Sequence, residues 1–139
     1  MDKPSLRILI VEADPAKEYL LETTIASCGL AASVRRVQGV EQAIAYLSGK
    51  GGFSDRRGFP TPSVILLDLH LPDGPGVTVL EWLMEHGRAL EAAVVVLCDS
   101  REEADVKRAA ALRAHSYLIK PITPDDLCEK VRSVWPNPV

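Results

Sequence analysis

The chain of 139 residues is 47% hydrophobic and 25% charged, the balance of a globular protein long enough to bury a real core. Its 19 acids outweigh 16 bases for a net charge of −3, and no basic cluster is denser than Lys107-Arg108, so counterion release from phosphates has little to work with and direct nucleic-acid binding is disfavoured. No apolar stretch approaches the roughly 18 residues a membrane span needs, and the start MDKPSLR lacks a signal-peptide core, so no membrane association is expected. Cys28, Cys98 and Cys128 are widely spaced with no CxxC pairing, which reads as neither a disulfide framework nor a zinc site. The expectation is reduced thiols in a cytoplasmic protein.

The first apolar run, Leu6–Val11, is broken only by Arg7 and does not alternate, as in a strand covered on both faces. Two acids and an intervening alanine follow it: Glu12, Ala13 and Asp14. Asp14-Pro15 supplies a helix cap and a first-turn proline, and Leu21, Ile25 and Cys28 form a stripe that stops at Gly29. Residues 31–37 carry Arg35 and Arg36 and read as an edge strand. Val40, Ile44 and Leu47 line a second helix closed by Gly49. The Gly- and Pro-rich stretch 49–63 reads as an insertion before a dry strand at 64–67 that ends in Asp68. The turn-rich LHLPDGPG behind it is expected to expose that carboxylate. Val77, Leu80, Leu83 and Met84 give a third helix ending at Gly87, and 94–97 a fourth strand. Ser100-Arg101-Glu102-Glu103 is a capping box for the fourth helix. A weaker strand at 117–119 precedes Thr123-Pro124, which opens a fifth helix whose Leu127, Val131, Val134 and Trp135 face inward.

Five strand–helix units in strict alternation predict an α/β, doubly wound (βα)5 flavodoxin-like sandwich with a parallel sheet, helices on both faces and right-handed crossovers. Function in such a sheet gathers at the carboxyl ends of the strands. There the sequence places Glu12-Ala13-Asp14, Asp68-Leu69-His70, Cys98-Asp99-Ser100 and Lys120-Pro121. Nucleotide binding wants glycines after the first strand, and EADP has none. A hydrolase of this shape wants a second acid two residues after Asp68, where His70 stands. A carboxylate that attacks phosphorus needs charge neutralisation. Lys120 can supply a fixed cation, and Glu12 with Asp68 part of an oxygen site for Mg²⁺.

With Asp68, Pro72 and Gly76 in ILLDLHLPDGPG, and YLIKP at 117–121, the chain resembles the CheY-like receiver domains of two-component response regulators over essentially its whole length. The long loop before the third strand resembles small stand-alone regulators of bacterial phytochrome-type kinases. The resemblance implies strand order 2-1-3-4-5, one receiver domain over 1–139 and no attached output domain. It further implies a phosphoprotein of two-component phosphorelay signalling, with Asp68 phosphorylated by a sensor histidine kinase and output through an unknown partner protein or a homodimer. No enzymatic activity beyond slow autodephosphorylation is implied. Mg²⁺ would be held by the acidic pair after the first strand, by Asp68 and by the backbone carbonyl of His70. Cys98 stands at the hydroxyl switch position, Lys120 pairs with the phosphoryl group, Tyr117 is the aromatic that turns inward, and Pro121 follows a cis bond.

Two departures stand out. Ala13 puts a methyl group where the family ligates its metal, and Cys98 puts a thiol, a weaker donor, where the family has a hydroxyl. Asp99 adds negative charge where the family prefers a small neutral residue. Asp14 is an alternative ligand for the position Ala13 leaves, or simply a cap. These departures keep a second reading open, a pseudo-receiver recognised without phosphoryl chemistry. In the resting protein Lys120 is expected to pair with Asp68, because Glu12, Asp68 and Asp99 crowd negative charge together.

Overall fold

The computed structural model describes residues 6–86, 90–99, 103–112 and 114–135. Strand β1 (Leu6–Val11) leads to α1 (Pro15–Ser27), where the Asp14 side chain accepts from Ala16 N at 2.9 Å and acts as the cap. Strand β2 (Ala32–Val37) precedes α2 (Val40–Ser48), which Gly49 closes in the left-handed region at φ +67°. After a 3₁₀ turn (Gly51–Phe53) come β3 (Val64–Asp68) and a two-stranded ribbon, β4 (His70–Leu71) with β5 (Gly74–Pro75). Helix α3 (Val77–His86), β6 (Ala93–Asp99), α4 (Glu103–Ala111), β7 (Ser116–Lys120) and α5 (Pro124–Val134) complete the order. The Thr123 side chain caps α5 through Asp126 N at 3.2 Å. The Ser100–Glu103 capping box falls on positions whose side chains lie outside the described residues.

The parallel sheet runs β2-β1-β3-β6-β7, the expected 2-1-3-4-5 once the short ribbon is set aside. Strand alternation sorts its side chains into two cores. Leu9, Val11, Ile65, Leu67, Val94, Val96 and Cys98 face α2, α3 and α4. Ile8, Ile10, Leu66, Val95, Leu97 and Leu118 face α1 and α5, against Leu21, Ile25, Leu127 and Val131. Strand β3 is buried at every position, so its carboxyl end opens into a crevice walled by protein on both faces.

The insertion at 49–63 is tied down rather than loose. Tyr46, Phe53 and Phe59 form a ring cluster with centroids 5.2–6.0 Å apart. Arg56 donates to the carbonyls of Tyr46 at 2.7 Å and Leu47 at 3.0 Å, capping the last turn of α2.

One expectation fails outright. Cys28 and Cys128 are not separate reduced thiols; they form a disulfide between the end of α1 and α5. Both do lie at the edge of the apolar stripes, as read, but the crossing of the two helices brings the stripes' sulfurs together. Arg132 also donates to the Cys28 carbonyl there. Among the described residues Cys98 is the cysteine that takes no part in a disulfide.

Candidate functional site

The parallel register brings the strand ends together at one crevice of about 470 Å³, lined by Glu12, Ala13, Asp14, Lys17, Asp68, His70 and Lys120 among others. Leu67 of β3 is level with Val11 of β1, so Asp68 and Glu12 emerge side by side. Lys120 at the end of β7 pairs in register with Asp99, one strand further out, and its side chain reaches back across. The Lys120–Pro121 peptide bond is cis.

Lys120 Nζ lies 2.7 Å from Asp68 Oδ2, an ion pair whose acid is only 2% exposed while the lysine keeps 26% of its side chain in solvent. The other oxygen, Asp68 Oδ1, accepts from His70 N at 2.7 Å. Glu12 is 4% exposed, and its Oε1 accepts from Asp14 N at 3.1 Å. Asp68 is therefore not exposed by the segment that follows it, contrary to the sequence expectation. The ribbon folds back over it, Gly76 N donating to the Leu69 carbonyl at 2.9 Å, and Lys120 covers what remains. Gly76 is required here, because any Cβ would collide with the Asp68 carbonyl.

Two buried carboxyls at one site do not ionise alike. Burial, and then the hydrogen bond shared with Asp68, push the Glu12 carboxyl up to about 7. Burial acts on Asp68 in the same direction, yet the hydrogen bonds from Glu12, Lys120 and the His70 N–H outweigh it and hold its carboxyl below the ordinary range. The resting site is thus an ionised Asp68 held by three donors, one of them a Glu12 poised to lose its proton near neutrality.

The remaining sequence candidates divide. Ala13 lines the crevice and brings no oxygen from its side chain. Asp14 lines it too, but its carboxylate is engaged as the cap of α1. Cys98 is fully buried in the core, its thiol 3.6 Å from the Leu118 carbonyl. Tyr117 points outward on the edge strand β7, 51% exposed, with Ile119 beside it at 46%. Asp99 ends β6, and its side chain lies outside the described residues.

Among the described residues no three carboxylate, imidazole or thiol groups gather as a ready metal cluster. Mg²⁺ does not need one: it keeps several waters and is commonly held by one or two carboxylates. Two adjacent acids, one with its pKa raised by burial and by the hydrogen bond to the other, are a donor set that a divalent cation fits.

Sequence reasoning missed Asp73. Its carboxylate accepts from Val40 N at 2.8 Å and Glu41 N at 3.0 Å, capping α2 from the tip of the β4–β5 ribbon. The available signal was Gly39, a residue without a capping side chain at the start of a helix.

Residues 8–132 match the response regulator receiver domain model, and the chain belongs to that family. It is similar to the response regulator Rcp1 of Synechocystis, 29% identical over 131 residues, covering 94% of this chain and 87% of Rcp1. The structure of the bacteriophytochrome response regulator AtBRR superposes with a TM-score of 0.81 at 29% identity, covering 99% of both chains. The phosphorylated cyanobacterial phytochrome response regulator RcpA does so with a TM-score of 0.79 at 27% identity, covering 94% of this chain and 91% of that one. The solved form of Rcp1 with a TM-score of 0.77 contains Mn²⁺. A receiver is a signalling module rather than a true enzyme, and among the described residues no helix is long and apolar enough to cross a membrane.

Proposed function

We propose that this chain is a stand-alone cytoplasmic response regulator that takes a phosphoryl group from a histidine kinase of the phytochrome type on Asp68. The observation that carries the reading is the buried Asp68 carboxylate held by Lys120 at 2.7 Å beside a protonatable Glu12. The match with AtBRR over 99% of both chains supports kinship with regulators of the phytochrome type.

A carboxylate oxygen of Asp68 attacks the phosphorus of a phosphohistidine; the O–P bond forms as the N–P bond breaks, and the imidazole leaves with the electron pair. Both Asp68 oxygens are engaged at rest, so Lys120 swings off Oδ2 as the donor arrives and then pairs with the transferred group. The ammonium, part solvated on a flexible stem, suits that movement. Glu12, the Asp68 carboxylate and the His70 backbone carbonyl would hold Mg²⁺, which supplies positive charge to the phosphoryl oxygens. Ala13 leaves that site one acid short. Cys98 holds the switch position, Tyr117 is the aromatic whose burial would report activation, and the half-exposed Tyr117–Ile119 edge suits contact with an output protein or a second copy. Autodephosphorylation is at most slow.

The pseudo-receiver reading keeps support from Ala13 and from Cys98, whose thiol faces the Leu118 carbonyl in the core. Incubation with a phosphorylated phytochrome-type kinase separates the two. Label should pass to the parent and not to Asp68→Asn; no transfer to the parent favours the pseudo-receiver.

A further inference from the structure

Helix α2 has Gly39 at its N-cap, with no side chain to offer the first amides, and it is capped instead by Asp73, 33 residues beyond Val40. Gly39 has an extended backbone, so any residue satisfies its dihedrals. What demands glycine is space: a Cβ there would lie 2.6 Å from Asp73 Oδ1. The two positions are complementary, one empty so that the other can reach the helix.

Asp73 sits at the tip of a very short ribbon, paired only at His70 with Pro75 and at Leu71 with Gly74. The base of the ribbon is closed by the bond from Gly76 N to the Leu69 carbonyl and seated on the Asp68 backbone. Its first residue, His70, donates to Asp68 Oδ1. A unit this small, fixed at the base and anchored at the tip, moves as one piece. Wherever Asp73 holds the tip, the His70 backbone is held against the acidic crevice.

We infer that Asp73 is a positioning residue for the cation site, clamping the His70 wall of the crevice to the N-terminus of α2 through a contact that Gly39 makes room for. The inference rests on the reading of the crevice as a metal-assisted phosphoryl-acceptor site. With Ala13 in place of an acid, the site depends on Glu12, Asp68 and a backbone oxygen from this ribbon, and a backbone oxygen is only as well aimed as the segment bearing it. Mg²⁺ tolerates little departure from octahedral geometry. Groups that orient metal ligands typically contribute 10–100-fold to affinity.

The test is a Mg²⁺ titration of the full chain followed by amide NMR shifts around Glu12, Asp68 and His70, with chemical denaturation run in parallel. Asp73→Ala and Gly39→Ala should each raise the Mg²⁺ Kd by roughly tenfold or more. The double variant should bind no worse than either alone, because both break one clamp. Asp73→Asn, which keeps an acceptor oxygen for one of the two helix amides, should fall between the parent and Asp73→Ala. Parent-like Mg²⁺ affinity in Asp73→Ala, with only the denaturation midpoint lowered, would reduce Asp73 to a helix cap and overturn the inference. A parent that shows no saturable shifts would sink the metal reading itself, whereas a parent that binds beside an indifferent Asp73→Ala sinks the clamp alone.

Discussion

At the residue scale, the site's character turns on Glu12 and Ala13. Glu12 has a folded value of about 7 against 4.5 in the unfolded chain, so its contribution to stability is fully present below about pH 4.5 and is lost as pH rises through about 7. Asp68 runs the other way: its lowered value gives stability above the unfolded carboxylate range that is lost on acidification. In the presence of chelator, Glu12→Gln should therefore flatten the fall in stability between pH 5 and 8, by on the order of 1–3 kcal/mol at the upper end, while matching the parent near pH 4.5. Parallel denaturation profiles for the two proteins would show that the shared proton is not there. Because a cation must displace that proton, Mg²⁺ affinity in the parent should climb with pH up to about 7. Ala13→Asp should raise Mg²⁺ affinity by adding a charged oxygen ligand where the Ala13 side chain brings none. Titration curves that coincide for Ala13→Asp and parent would mean that position 13 does not face the metal.

At the element scale, the disulfide between Cys28 and Cys128 spans 100 residues of chain and joins α1 to α5. Without reductant, the denatured protein should titrate a single thiol, Cys98; three would contradict the pairing. Reduction, or Cys28→Ser, should lower the denaturation free energy by about 2–5 kcal/mol, since a cross-link closing so long a loop restricts the unfolded chain. This pairing shows where sequence reading stops. Both cysteines were legible as members of apolar stripes, because a stripe is a local property of 3.6-residue periodicity. That the stripes' sulfurs meet depends on the crossing of two helices at opposite ends of the chain. The same limit hid the Asp73 cap on α2, whose partners are 33 residues apart. The burial of Asp68 was missed for a related reason: LHLPDGPG has turn chemistry, but only Gly76 seated on the Asp68 backbone folds that turn back over the acid. The β1 and β3 runs, by contrast, were plain, since continuous apolar residues ending in an acid describe a covered strand and its crevice end at once.

At the scale of the whole molecule, parallel strands deliver Glu12, Asp68 and Lys120 to one crevice from three separate elements, and the charge balance there is nearly closed without any outside group. That balance keeps an ionised acid buried. It predicts a receiver that works, but at higher Mg²⁺ concentrations than a complete acidic pair would need. The most direct measurement is incubation of the full chain with acetyl phosphate and Mg²⁺, followed by intact-mass and peptide mass spectrometry. The account predicts one added phosphoryl group, located on Asp68, abolished in Asp68→Asn and reaching half-maximum at lower Mg²⁺ in Ala13→Asp. An unmodified parent at saturating Mg²⁺, in a preparation whose Asp68→Asn variant is equally folded, would contradict it.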